Sequence, residues 1–171
     1  MHQMYIDILI DAIIEQFETE EKFYTDYLQT SKENWENWKD GRINLTSEEM
    51  QKVKNLFSDY EWMLTQKVLR QTILFPEKRN IAVSEYKRLK TLIAKKWLQS
   101  GAGIAELVPS KVNREEQSFI DLKVTVSYGE WGFDDIVNFR LPATLQGQLE
   151  GSKVELLDWV NENLMGTYVG E

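Results

Sequence analysis

The stretch TEEKFYTDYLQTSKENWENWKDGRINLTSEEMQKVKNL, residues 19–56, decides how the first part of the chain folds. Within it the apolar Leu28 is followed by two polar residues and then by Ser31, a residue type that favours the N-cap of a helix. A helix is predicted over 32–40, and Gly41 ends it because glycine readily adopts the left-handed conformation found after helix C-termini. The spacing therefore predicts two short helices joined by a tight turn.

The helix predicted at 32–40 has one apolar and one polar face. Trp35 and Trp38 are three residues apart, so they share one side of an α-helix, and large aromatic residues at that spacing usually pack into a core. The outward positions carry polar or charged residues: Lys32, Glu33, Asn34, Glu36 and Asn37. We interpret the tryptophans as core residues and the polar set as a surface that faces outward.

This order of features resembles the helix-turn-helix of the phage-repressor (Cro-like) family of DNA-binding regulators, within the N-terminal third of the chain. The turn of the motif falls on Gln29 and Thr30, and Gln29 stands where the family commonly has glycine. A further capped helix opening at Thr46 or Ser47 agrees with the resemblance. The resemblance implies base-edge contacts or phosphate contacts for six residues: Lys32, Glu33, Asn34 and Asn37 at bases, and Lys39 and Arg42 at phosphates.

The resemblance implies a cytoplasmic, sequence-specific transcriptional regulator that binds double-stranded DNA as a homodimer. The formal net charge of −8 leaves a second function open, because neutralisation of phosphates supplies most non-specific affinity for DNA. That alternative is a non-enzymatic protein-interaction module, an antirepressor or adaptor, which keeps the helix-turn-helix fold and engages a basic protein through its acidic surface.

Charge is distributed unevenly and suggests three parts. Residues 1–75 have a net charge of −6, residues 76–100 of +5, and residues 101–171 of −7. We predict a helix-turn-helix domain with a trailing helix, a basic connecting helix, and an α+β domain for dimerisation or signal sensing, in that order. The basic helix either lies beside the recognition helix and extends a DNA footprint, or it binds acidic groups of a partner or of the chain itself.

The hydrophobic period changes from about 3.6 to 2 near residue 104, which predicts an α+β fold. A helical N-terminal bundle is expected to precede a small antiparallel sheet with one packed helix. The predicted helices cover 5–17, 20–29, 32–40, 47–57, 62–75, 83–99 (with Ser84 as its cap) and 152–164. Strand chemistry is found at 104–108, 119–128 and 136–141.

Composition argues against catalysis and against attachment to a membrane. The chain has no cysteine, and its single histidine, His2, is near the N-terminus, so thiolate chemistry, a histidine triad and a histidine-rich metal site are excluded. We expect no enzyme, no cofactor and no metal. No apolar run approaches the roughly 20 residues that cross a bilayer, and the N-terminus lacks the features of a signal peptide, so we predict a cytoplasmic location.

Overall fold

A computed structural model describes residues 2–109, 119–129, 132–142, 157, 158 and 160. The helices are α1 (His2–Phe17), α2 (Glu20–Lys22), α3 (Lys32–Lys39), α4 (Ser47–Lys54), α5 (Asp59–Leu74) and α6 (Ala82–Gln99). A π-helical turn, Phe23–Tyr27, continues α2, and a 3-10 turn, Pro76–Ile81, connects α5 to α6. Together with the sheet that follows them, these helices confirm the predicted α+β class.

The sheet has three antiparallel strands in the order β1 (Gly103–Pro109), β2 (Phe119–Val126) and β3 (Asp135–Pro142). Leu122 lies opposite Leu107 on one side and opposite Phe139 on the other. The three predicted strands are confirmed, and the first of them pairs with β2. The closing helix predicted at 152–164 lies largely outside the described residues. Within that range the structure describes 157, 158 and 160, and these are helical.

Two hydrophobic clusters form the core, and α6 belongs to both. Its Tyr86 belongs to the cluster that also contains residues of α1, α3 and α5, whereas its Ala94 belongs to the cluster that contains the buried residues of the sheet. At the end of α6 the chain turns through Gly101, whose φ is 78°. A Cβ on Gly103 would lie 2.8 Å from the Trp97 Cβ, so this close passage of β1 requires glycine. The division into 1–75, 76–100 and 101–171 stays a prediction.

The start of α5 differs from the prediction. Helix 4 was expected to reach 57, but it ends at Lys54, and α5 begins at Asp59 and not at 62. The reason is a capping box: the Ser58 hydroxyl accepts from the Glu61 N–H, and the Glu61 carboxylate accepts from the Ser58 N–H. Two side chains thus satisfy N–H groups that would otherwise lack partners, and they fix where the helix begins.

Two other helix boundaries also differ. Helix 2 was predicted to run to 29, but its regular part is short and the π-helical turn ends at Tyr27. Ser84 does not cap α6, because the helix begins at Ala82 and the Ser84 hydroxyl donates to the Ile81 carbonyl. The 3-10 turn already winds the chain before α6, so a side-chain cap two residues later has no role.

Glu61 connects the helices to the sheet. It is 3% exposed, and its Oε2 lies 2.9 Å from the Lys90 Nζ and accepts the Asn138 N–H at 3.0 Å. Burial alone raises the pKa of Glu61, but attraction to Lys90 and the N–H groups of Ser58 and Asn138 outweigh it and hold the pKa below its usual range. One carboxylate therefore fixes the start of α5, the edge of β3 and the middle of α6.

Trp38→Ala is expected to lower the free energy of unfolding by about 3–5 kcal/mol, because it removes a buried indole. Trp38 is 6% exposed and lies against Trp35 and the edge of Tyr5. Chemical denaturation measures the loss, and Glu33→Ala on the opposite face of the same helix is the control that should change it little. Unchanged stability of Trp38→Ala would contradict a core role.

Glu61→Gln is expected to destabilise the fold at neutral pH by about 3 kcal/mol, because it leaves the Lys90 ammonium buried without a counter-charge. Because the folded pKa of Glu61 is lowered, the stability it provides is fully present above the unfolded value of about 4.3 and fades as the pH falls through the folded pKa. The free energies of unfolding of the parent and of Glu61→Gln, measured by chemical denaturation, should therefore converge at acidic pH.

The matched control is Glu106→Gln, which removes an exposed carboxylate from β1 and should change stability by less than about 0.5 kcal/mol. A difference between Glu61→Gln and the parent that stays constant from neutral to acidic pH would contradict the assigned role of the ionised carboxylate.

Candidate nucleic-acid interface

A tight turn precedes α3, as the residue pattern at 28–31 predicts. Leu28 is buried, Gln29 has a φ of 60° in the left-handed region, and the Ser31 Oγ accepts the Asn34 N–H at 3.1 Å. Gln29 thus takes the backbone conformation for which glycine is the usual residue, at some cost in strain. At the other end Gly41, with a φ of 75°, ends the helix as predicted.

The inner face of α3 is anchored by its two tryptophans, which confirms their predicted place in the core. Trp35 is fully buried, and its ring lies 5.1 Å from Trp38 and 5.4 Å from Phe23. The Trp35 Nε1–H donates to the Glu20 Oε2 at 2.8 Å. Beneath Trp38 lies Tyr5, whose hydroxyl is buried without a hydrogen-bond partner, and burial raises the pKa of Tyr5 to about 12.

The first turn of α3 presents three of the predicted contact residues to solvent: Lys32, Glu33 and Asn34. Asn37 is half-buried, and the Arg42 side chain is 71% exposed, with its Nη2 3.7 Å from the Asp40 Oδ2. The loop that carries Arg42 is held to the helix because its N–H donates to the Asn37 carbonyl at 2.8 Å. Five of the six predicted residues thus lie along or just after one polar side of α3.

Lys39 is engaged inside the protein. Its Nζ lies 2.7 Å from the Glu20 Oε2 and 3.1 Å from the Glu36 Oε1. Partial burial alone lowers the pKa of Lys39, but the hydrogen bonds to both carboxylates outweigh it and raise the pKa. Since Glu20 also accepts from Trp35, Lys39 and Glu20 brace α3 against α2, a role that the sequence analysis did not anticipate. A phosphate at Lys39 would compete with these two carboxylates.

Four of the five cations of the basic helix α6 pair with carboxylates of the chain itself, which favours the second interpretation of its charge. Its ion pairs are Lys87 with Asp11, Arg88 with Glu85, Lys90 with Glu61 and Lys95 with Asp158. α6 packs on α1, α5 and the sheet, whereas α3 packs on the π-helical turn. Most cations of α6 are therefore engaged within the protein, and Lys96 is exposed.

A cleft of about 560 Å³ lies between the helices and the sheet, and it was not predicted from the sequence. Its charged lining comes from α1, α5, α6 and the sheet: Asp11, Glu15, Glu61, Lys87, Lys90, Asp121, Lys123 and Arg140. Burial raises the pKa of Asp11 although the Lys87 Nζ lies 3.0 Å from its Oδ2, so ionisation of Asp11 opposes folding. The lining residues range from Asp11 to Arg140, so only the packed fold brings them together.

The described residues contain no cluster of acidic or histidine side chains arranged to hold a metal ion. In the same part of the chain no helix is long and apolar enough to span a membrane. Comparison of the chain with known proteins adds no family: no protein-family model, curated protein or solved structure matches it.

Proposed function

We propose that the chain is a sequence-specific DNA-binding regulator of the phage-repressor type, which acts in the cytoplasm by occupying DNA as a homodimer. The observation that supports the proposal is the two-sided construction of α3. Trp35 and Trp38 fix the helix to the core, while its capped N-terminus and polar face are turned to solvent. A recognition helix needs this combination, because its N-terminal residues contact base edges in the major groove.

The exposed side chains of α3 have the chemistry of base recognition. Asparagine pairs with adenine, lysine with guanine, and a carboxylate accepts from cytosine, which gives Asn34 or Asn37, Lys32 and Glu33 their proposed partners. Arg42, exposed just beyond the helix, would meet a phosphate. Lys39 supports α3 through Glu20 and Glu36 and contributes less directly than the sequence resemblance implies.

A second candidate function has an observation of its own. Lys39 and most cations of α6 are paired with carboxylates of the same chain, and the outer face of α3 carries the exposed Glu33. Carboxylates repel phosphates and attract basic proteins. A protein-interaction module that keeps the helix-turn-helix without binding DNA fits this charge distribution.

Selection of duplexes from a random pool at low salt separates the two functions, and variants then assign roles. Asn37→Ala is expected to reduce the free energy of discrimination between bases at one base pair by about 1–3 kcal/mol, because a base-edge contact is lost. Arg42→Ala should weaken binding to all DNA sequences similarly. It should also reduce the slope of log affinity against log salt concentration by about one unit. Fluorescence anisotropy on the selected duplexes measures both effects.

Asn80→Ala is the matched control, because Asn80 is an exposed asparagine on the 3-10 turn before α6. It should leave both the affinity and the sequence preference unchanged. Failure to enrich any duplex at low salt would contradict DNA binding and favour the protein-interaction module.

A further inference from the structure

The end of α5 and the turn after it expose large apolar side chains. Ile73, Leu74, Phe75 and Ile81, which we call the hinge patch, are each between 44% and 65% exposed. All four fall within residues 73–81, whereas the other exposed hydrophobic residues are more scattered along the chain. Exposed apolar residues that are concentrated in one short segment suggest a site of interaction, because single scattered ones are normal.

Four cations lie in the same segment as the hinge patch, at positions 67, 70, 78 and 79. Lys67, Arg70 and Arg79 make no ion pair within the described residues, unlike Lys39 and most cations of α6. Lys78 covers the patch, with its Nζ 5.3 Å from the centre of the Phe75 ring. Residues 66–81 carry a net charge of +3 in a chain whose net charge is −8.

We propose that the hinge patch is a docking surface for an acidic protein segment, one that presents apolar side chains flanked by aspartate or glutamate. Burial of the four apolar side chains supplies the driving force. The surrounding lysine and arginine side chains form a rim that pairs with carboxylates and steers the partner to this face. This inference goes beyond DNA binding and does not depend on it.

Three other occupants fit the surface less well. A second copy related by a two-fold axis would bring the same cations face to face. An anionic membrane would be repelled by the rest of the acidic chain. DNA would pair with the cations but leave the four apolar side chains in water. An acidic and apolar protein segment would pair its carboxylates with the cations and cover the apolar side chains.

The test uses the full chain and a display library of short random peptides. Enrichment of peptides that combine large apolar residues with aspartate or glutamate is expected. The double variant Ile73→Ser with Leu74→Ser should weaken binding of an enriched peptide about tenfold or more, because anchor residues carry most interface energy. Met63→Ser is the matched control, since Met63 is 46% exposed on the same helix outside the patch.

The charge of the rim is tested separately. Arg70→Glu with Arg79→Glu should abolish binding of acidic peptides at low salt, whereas Lys96→Glu, at an exposed position of α6, should not. Thermal melting verifies that each variant folds, which is expected because every substituted side chain is exposed.

Several outcomes would overturn the proposal. These are the absence of any enriched peptide, enrichment of basic peptides, or equal binding by the Ile73→Ser, Leu74→Ser variant. Dimerisation that this variant abolishes would assign the patch to a second copy. Binding of phosphatidylserine vesicles in place of peptides would assign it to a membrane.

Discussion

The ionised, buried carboxylate of Glu61 is the constraint on which the joining of helices and sheet depends. A carboxylate that is removed from water needs hydrogen bonds and an opposite charge to stay ionised. Without them it takes up a proton. Glu61 receives both, from the N–H groups of Ser58 and Asn138 and from Lys90, which itself lies over the rings of Tyr86 and Phe139. Ser58 and Glu61 lie at the start of α5, Asn138 lies in β3 and Lys90 lies in α6, so satisfying one charge fixes three elements relative to one another.

The same arrangement protects the outer edge of the sheet. A strand at a sheet edge presents unpaired backbone groups that can pair with another chain. Along β3, the Ser58 hydroxyl donates to the Ile136 carbonyl, Glu61 accepts from the Asn138 N–H, and Glu15 accepts from the Arg140 N–H at 3.1 Å. Among the described residues, side chains from α1 and from the start of α5 thus bond the backbone along this edge. The same residues line one wall of the cleft.

Sequence patterns among neighbouring residues predicted the helices and strands. Ion pairs between residues far apart in the chain were not predicted. The Ser31 cap, the Gly41 stop, the two core tryptophans and the strand at 119–128 each depend on neighbouring residues, so their patterns are visible in the sequence. The Ser58 capping box is equally local and could have been found from its Ser-x-x-Glu spacing. In contrast, the Glu20 partner of Lys39 and the Glu61 partner of Lys90 are 19 and 29 residues away, and only the packed fold brings these charges together. The sequence therefore predicted the capped helix α3 and its outward polar residues, and its use as a DNA-binding site stays a prediction, whereas the ion pair of Lys39 with Glu20 was not predicted.

Native-state amide hydrogen exchange tests most directly whether the Glu61 contacts make helices and sheet one cooperative unit. Amides of α5 and of β3, for example those of Leu64, Val68, Val137 and Phe139, should exchange with the same free energy of opening, equal to that of global unfolding. A set of β3 amides that opens at a clearly lower free energy, while α5 stays protected, would show that the sheet unfolds on its own and would contradict the account.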